Sequence, residues 1–133
     1  MEKYFVEATE FTPEIFFNPD NWTFSFKGVS RPEDVFKFFL PAINWLKLLD
    51  ENIQTHTNAK YNIAIIHIVF HFSYFNSSSS KMLLQIIEIV KKIQKEGIDI
   101  TVDWYYDETD EQMYDDGLDL SEAVDIPFVF HTV

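Results

Sequence analysis

Four consecutive hydroxyls, in Asn76-Ser77-Ser78-Ser79-Ser80, stand between a long apolar run, Tyr61 to Phe75, and a helical pattern, Lys81 to Lys95. Serines at a strand-to-helix junction can do two kinds of work. One is capping, because the first amides of a helix lack intrahelical partners and a Ser or Asn oxygen accepts from them. The other is to carry phosphate, which the unpaired amides and the positive end of the helix dipole favour. A single cap accounts for one of these residues and leaves hydroxyls to spare. Asn76, Ser77, Ser78 and Ser79 are therefore the candidate helix N-terminus and phosphate site.

His67 and His71 are a second candidate. Four residues apart on a strand, they share a face, and Ser73 and Ser77 follow. A small Ser/His hydrolase is the catalytic reading, but the chain has only three glycines and no Gly-x-Ser-x-Gly turn, and nothing marks an oxyanion hole. As a metal site the pair needs a third ligand that the sequence does not identify. No cysteine is present, which removes disulfides, thiolate catalysis and sulfur-based zinc sites. Gly-rich phosphate loops are absent too, so no cofactor or metal is expected.

Charge supplies the third candidate. The net charge is −12, yet residues 1–95 are neutral, and all of the excess falls in residues 96–133, which hold 12 acids and no base. Asp107, Glu108, Asp110 and Glu111 are its densest part, followed by Asp115, Asp116, Asp119, Glu122 and Asp125. The spacing does not match a calcium loop. Such a surface is either simply solvated or a docking face for a protein, with Asp107, Glu108 and Asp110 as its expected contacts. A pI near 4.5 argues against nucleic acid.

The elements that must position these residues follow from periodicity. Phe11–Phe17 and Trp22–Lys27, joined by Asn18-Pro19-Asp20-Asn21, read as a β-hairpin that ends at Gly28. Ser30-Arg31-Pro32-Glu33 resembles a capping box opening a helix to about Glu51, kinked or split near Pro41. A polar loop is expected over Thr55–Lys60, then a strand over Tyr61–Phe75. One face of that strand is apolar through Ala64, Ile66, Ile68, Phe70, Phe72 and Tyr74; the other is expected to be partly covered as well. A helix over Lys81–Lys95 ends before Gly97, and Ile98–Tyr106 alternates as a strand. The two strands around this helix must be parallel, so Ser77 and the Asp107–Glu111 segment should lie at the same edge of the sheet as neighbours. A short helix or loop over Glu111–Val124 and a last strand over Ile126–Phe130 complete the chain. This describes one small α/β domain, bordering on α+β, over residues 1–133: a mixed sheet, an N-terminal hairpin, a parallel β-α-β unit and helices packed on the sheet. No apolar stretch approaches the roughly 20 residues of a membrane helix and no secretory signal is visible, so a cytoplasmic location without membrane contact is expected.

Several segments together resemble the SiaC family of bacterial regulatory phosphoproteins. They are Thr12-Pro13, Gly28-Val29-Ser30-Arg31-Pro32-Glu33, Ile43-Asn44-Trp45-Leu46, Tyr74-Phe75-Asn76-Ser77-Ser78-Ser79-Ser80-Lys81 and Val102-Asp103-Trp104-Tyr105-Tyr106-Asp107. The resemblance implies a non-catalytic domain similar in outline to anti-sigma-factor antagonists. It implies phosphorylation of the residue after the asparagine by a dedicated protein kinase, and removal of the phosphate by a PP2C-type phosphatase. The unphosphorylated form is then expected to bind and activate a diguanylate cyclase. Carried onto this chain the acceptor is Ser77, a serine where the family pattern has threonine, with Ser78 and Ser79 as competing hydroxyls. The remaining alternative is a constitutive acidic adaptor whose serines only cap a helix.

Overall fold

The computed structural model describes residues 1–133 apart from the side chains of 56–61. Six strands and three helices follow one another as β1 (Tyr4–Val6), β2 (Glu14–Asn18), β3 (Thr23–Ser30), α1 (Val35–Tyr61), β4 (Ile65–Phe75), α2 (Ser77–Lys95), β5 (Asp99–Tyr106), α3 (Glu111–Val124) and β6 (Val129–Thr132). The strands lie in the sheet in chain order. β1, β2 and β3 pair antiparallel, while β3, β4, β5 and β6 pair parallel. Each parallel step is a β-α-β crossover. Right-handed crossovers that all advance in one direction put their helices on the same face of the sheet.

That face is the core. Ile15 and Phe17, Phe24 and Phe26, Ile66 through Phe72 at alternate positions, and Val102 and Trp104 are all buried there. Phe39, Leu46 and Leu49 of α1 and Leu83, Ile86 and Ile87 of α2 close over them. The opposite face carries Phe5, Phe16, Lys27, His67, Val69, His71, Asp103, Tyr105 and His131, none of them buried, and no element of the described residues covers it. The second cover expected for β4 is thus absent. Ile65 and Val69 are half-buried by their lateral neighbours alone.

Several boundaries depart from expectation for local reasons. The hairpin strands are Glu14–Asn18 and Thr23–Ser30, and β1 had no recognisable pattern because it is only three residues long. Gly28 does not end β3. It sits at φ +116 where the β3–β4 register shifts, Gly28 pairing with Phe72 and Val29 with Tyr74. One additional residue of β4, Ser73, is accommodated there, and a one-residue slip exchanges the two faces of a strand. Tyr74 consequently points outward, 49% exposed, and Phe75 is buried.

Ser30 is not a helix cap either. It pairs with Phe75 at the end of β3, and the amides of Lys37 and Phe38 bond to the side chain and carbonyl of Asp34 instead. Helix α1 runs through Pro41 without interruption and past Glu51, so Thr55 belongs to it and its hydroxyl bonds back to the Glu51 carbonyl. The rest of the expected 55–60 loop falls within the bounds of α1, with side chains outside those described. β4 and α2 begin four residues later and earlier than read, at Ile65 and Ser77. The span of α3 agrees with the expected helix, and β6 is displaced to Val129–Thr132. Among the described residues, no helix is long and apolar enough to cross a membrane.

Candidate functional site

The bulge at Ser73 turns Phe75 into the core and so presents Asn76 at the mouth of α2. Asn76 is the N-cap: its side-chain oxygen accepts from the Ser79 amide at 2.9 Å and its carbonyl from the Ser80 amide at 3.0 Å. Its own amide donates to the Ser30 carbonyl at 3.1 Å, which ties the cap to the end of β3. The four serines then separate by what each hydroxyl does. Ser79 is fully buried; its Oγ lies 2.8 Å from the Ser30 Oγ and 3.1 Å from the Ser30 carbonyl. This removes Ser79 as a competing acceptor, since its oxygen joins two core elements. Ser80 is half-buried beside Lys81, Leu84, Asp116, Asp119, Leu120 and Ala123 in the groove between α2 and α3. Ser77 and Ser78 remain, both exposed. Among the described residues their amides have no hydrogen-bond partner, as expected for the first two positions of a helix.

The acidic loop is built by equally local chemistry. The Asp107 carboxylate accepts from the Thr109 hydroxyl at 2.6 Å and the Thr109 amide at 2.8 Å, and the Asp110 amide bonds to the Asp107 carbonyl at 2.9 Å. Bonding from the Thr109 hydroxyl, then from its amide, holds the Asp107 carboxyl below the usual range. Asp110 caps α3, accepting from the Met113 amide at 3.0 Å. Two of the three carboxylates expected to meet a partner therefore have one oxygen occupied in shaping the turn. Glu108 is exposed and has no such bond among the described residues.

Both features lie at the C-terminal edge of the parallel strands, the serines after β4 and the acidic loop after β5. Asp107, Thr109 and Asp110 line a groove of about 560 Å³ with His71, Phe72, Ser73 and Val133. The carboxylates across from the first turns of α2 are those of Asp116 and Asp119 on α3. Asp116 and Asp119 stood in the sequence as part of the acidic surface; their spacing of three on a helix, which puts both on one face, was the signal that pairs them with α2.

His67 and His71 do share a face, and it is the open one. His67 Nδ1 lies 2.9 Å from Thr101 Oγ1, and the His71 ring stands 5.5 Å from that of Tyr105. Partial burial, then the neighbouring charge of Lys27, holds the His71 imidazole below its ordinary pKa. Neither ring is hydrogen-bonded to a serine among the described residues. On the same face His131 Nε2 lies 2.7 Å from Asp103 Oδ1, a pair that sequence reasoning did not single out.

An N-capped helix presenting two exposed hydroxyls at the edge of a one-sided mixed sheet defines a small α/β domain. The family model of the SiaC family regulatory phosphoproteins matches residues 6–133, and the chain belongs to that family. It is similar to an uncharacterised protein of Pseudomonas aeruginosa (strain UCBPP-PA14), 22% identical over 128 residues, which are 96% of this chain and 94% of that protein. Among solved structures, apo-SiaC of Pseudomonas aeruginosa matches with a TM-score of 0.85 at 20% identity, covering 99% of this chain and 100% of that one. A second, with a TM-score of 0.83 at 20% identity, is SiaC of Pseudomonas aeruginosa in complex with the diguanylate cyclase SiaD, whose activator it is. That match covers 98% of this chain and 99% of the other. At these identities the structural likeness establishes the fold.

Proposed function

We propose that this protein is a non-catalytic, phosphorylation-switched regulator that acts in the cytoplasm. Unphosphorylated, it binds and activates a diguanylate cyclase; a protein kinase modifies Ser77 and a PP2C-type phosphatase restores it. The observation that carries the proposal is the division of labour at the start of α2. Asn76 caps, Ser79 is locked inside, and Ser77 opens the helix with an exposed hydroxyl and unbonded amides around it. Family membership and the cyclase complex of the Pseudomonas relative support a diguanylate cyclase as the effector. Asp107, Glu108 and Asp110, at the same edge, extend the docking surface.

A phosphate on Ser77 adds about −1.5 to −2 charges. The helix dipole offers about 0.3–1 kcal/mol of stabilisation, and Lys81, four residues on, is placed to pair with it for about 0.2–0.5 kcal/mol. A carboxylate about 8 Å away would repel such a phosphate by roughly 0.8–1 kcal/mol at the dielectric of water. These terms are small, opposed, and far below the roughly 5.5 kcal/mol needed to reverse a two-state population. The switch therefore acts at the interface, where a docked partner would have to desolvate the dianion, and leaves the domain fold unchanged.

The test compares Ser77→Ala and Ser77→Asp in capture of the cognate cyclase and in cyclic-di-GMP synthesis, with Ser78→Asp alongside. Ala should retain both and Asp should lose both, while intact mass of protein from its native host shows a phosphorylated fraction that Ser77→Ala abolishes. Equal capture by Ala and Asp variants would overturn the switch and leave a constitutive adaptor.

A further inference from the structure

On the far side of the acidic loop, β5, α3 and β6 bring three aromatic rings together. Tyr106 and Tyr114 stand 5.3 Å apart, Tyr114 and Phe130 4.9 Å, and Tyr106 and Phe130 6.4 Å. Tyr106, Tyr114, Glu108, Glu111 and Asp115 line a groove of about 460 Å³ above them. Glu111, Tyr114 and Asp115 follow at helical spacing on α3, so one helix face supplies two carboxylates and a ring. Tyr114 is 36% exposed although its ring packs on two others. Among the described residues none of the three carboxylates meets a cation, and no lysine or arginine follows Lys95 in the sequence.

The groove is thus an aromatic floor with an uncompensated acidic rim. Among the described residues no three acidic or histidine side chains converge closely enough to hold a metal ion. A planar, spread cation can stack on a tyrosine and reach separate carboxylates at once, a combination that a compact ammonium matches less well. We infer that the groove formed by Tyr106, Tyr114, Glu108, Glu111 and Asp115 is a docking site for an arginine side chain presented by a partner protein. The inference goes beyond the phosphorylation switch and holds whether or not Ser77 is modified.

The experiment titrates the full chain, by NMR chemical shifts, with a blocked peptide of alternating glycine and arginine. Two more peptides carry lysine or uncharged citrulline in place of arginine. Expected are shifts centred on residues 106–115 and 130 with the arginine peptide, weakening as salt is raised, about tenfold weaker binding of lysine, and none of citrulline. Tyr114→Leu keeps the packing ring volume in part and should weaken arginine binding about tenfold. Glu111→Gln should weaken it too, whereas Asp119→Asn, in the other groove of α3, should not. Equal binding of the arginine and lysine peptides, or indifference to Tyr114→Leu in a folded variant, would overturn the site and leave only a diffuse acidic surface. Because the probe is a peptide and not the cyclase, this failure would be distinct from failure of the Ser77 switch.

Discussion

Gly117 should be the least substitutable position of α3, against its helix propensity. It lies in the interior of the helix, where alanine is ordinarily favoured by about 1 kcal/mol. A Cβ built on it, however, would stand 2.5 Å from both Cε2 and Nε1 of Trp104 and 2.7 Å from its Cδ1. The indole has little freedom to retreat, being 1% exposed with ring centroids of Phe70, Phe75 and Phe128 at 5.4, 6.1 and 6.0 Å. Its Nε1 donates to the Met113 carbonyl at 3.0 Å, one turn before Gly117. Overpacking of this kind costs about 1–3 kcal/mol, and a buried N–H displaced from its acceptor about 1–3 kcal/mol more. Set against the propensity gain, Gly117→Ala should destabilise the domain by about 1–5 kcal/mol. Denaturant unfolding followed by far-UV circular dichroism measures it. Asp119→Ala, exposed on the same helix, should be neutral or slightly stabilising, and Trp104→Phe, which removes the atoms in the way, should make Gly117→Ala much less harmful in the double variant. A Gly117→Ala protein as stable as the parent would refute the claim that α3 is held against the sheet by this contact, and with it the placement of the acidic groove.

Two further outcomes follow from buried polar groups. Ser79→Ala leaves the Ser30 hydroxyl without its partner in the core and should cost about 1–3 kcal/mol, whereas Ser30→Ala combined with Ser79→Ala should cost less than the two singles together, by a double-mutant cycle. At the other end of α1 and α2, the Asp50 carboxylate is buried, 2.8 Å from the Lys92 ammonium and 3.1 Å from the Gln54 amide. Burial pushes the Asp50 carboxyl up, but hydrogen bonds from Lys92, Glu96 and Gln54 outweigh it and the net shift is downward; burial first, then Asp50, raises the Glu96 carboxyl. A raised folded pKa means that the contribution of Glu96 is complete below its unfolded value and is lost as pH rises through the folded one. Glu96→Gln, which cannot ionise, should therefore match the parent in acid and gain on it as pH rises through that window. A stability difference independent of pH would show that the Glu96 carboxyl is not raised in the folded protein.

The sequence by itself determined the class of fold and the region of the site. Apolar residues repeat every second position in β4 and every third or fourth in α2, and burial is what a period encodes, so both elements and their parallel crossover were legible. The serine run at their junction was legible for the same reason. What each serine does was not. Alternation in β4 breaks at Ser73 because β4 bulges there against Gly28 and Val29 of β3, a pairing between residues some 45 apart in the chain that no local pattern records, and it is this shift that exposes Tyr74 and buries Phe75. Only the contact of Ser79 with Ser30, 49 residues away, separates the hydroxyl that belongs to the core from the exposed ones of Ser77 and Ser78. Likewise the acidic composition of the last 38 residues announced a charged surface, while the ring triangle beneath it depends on how β5, α3 and β6 meet. Local periodicity reports which side of an element is buried; which partner buries it is decided by long-range packing, and the chemistry of this protein resides in those partners.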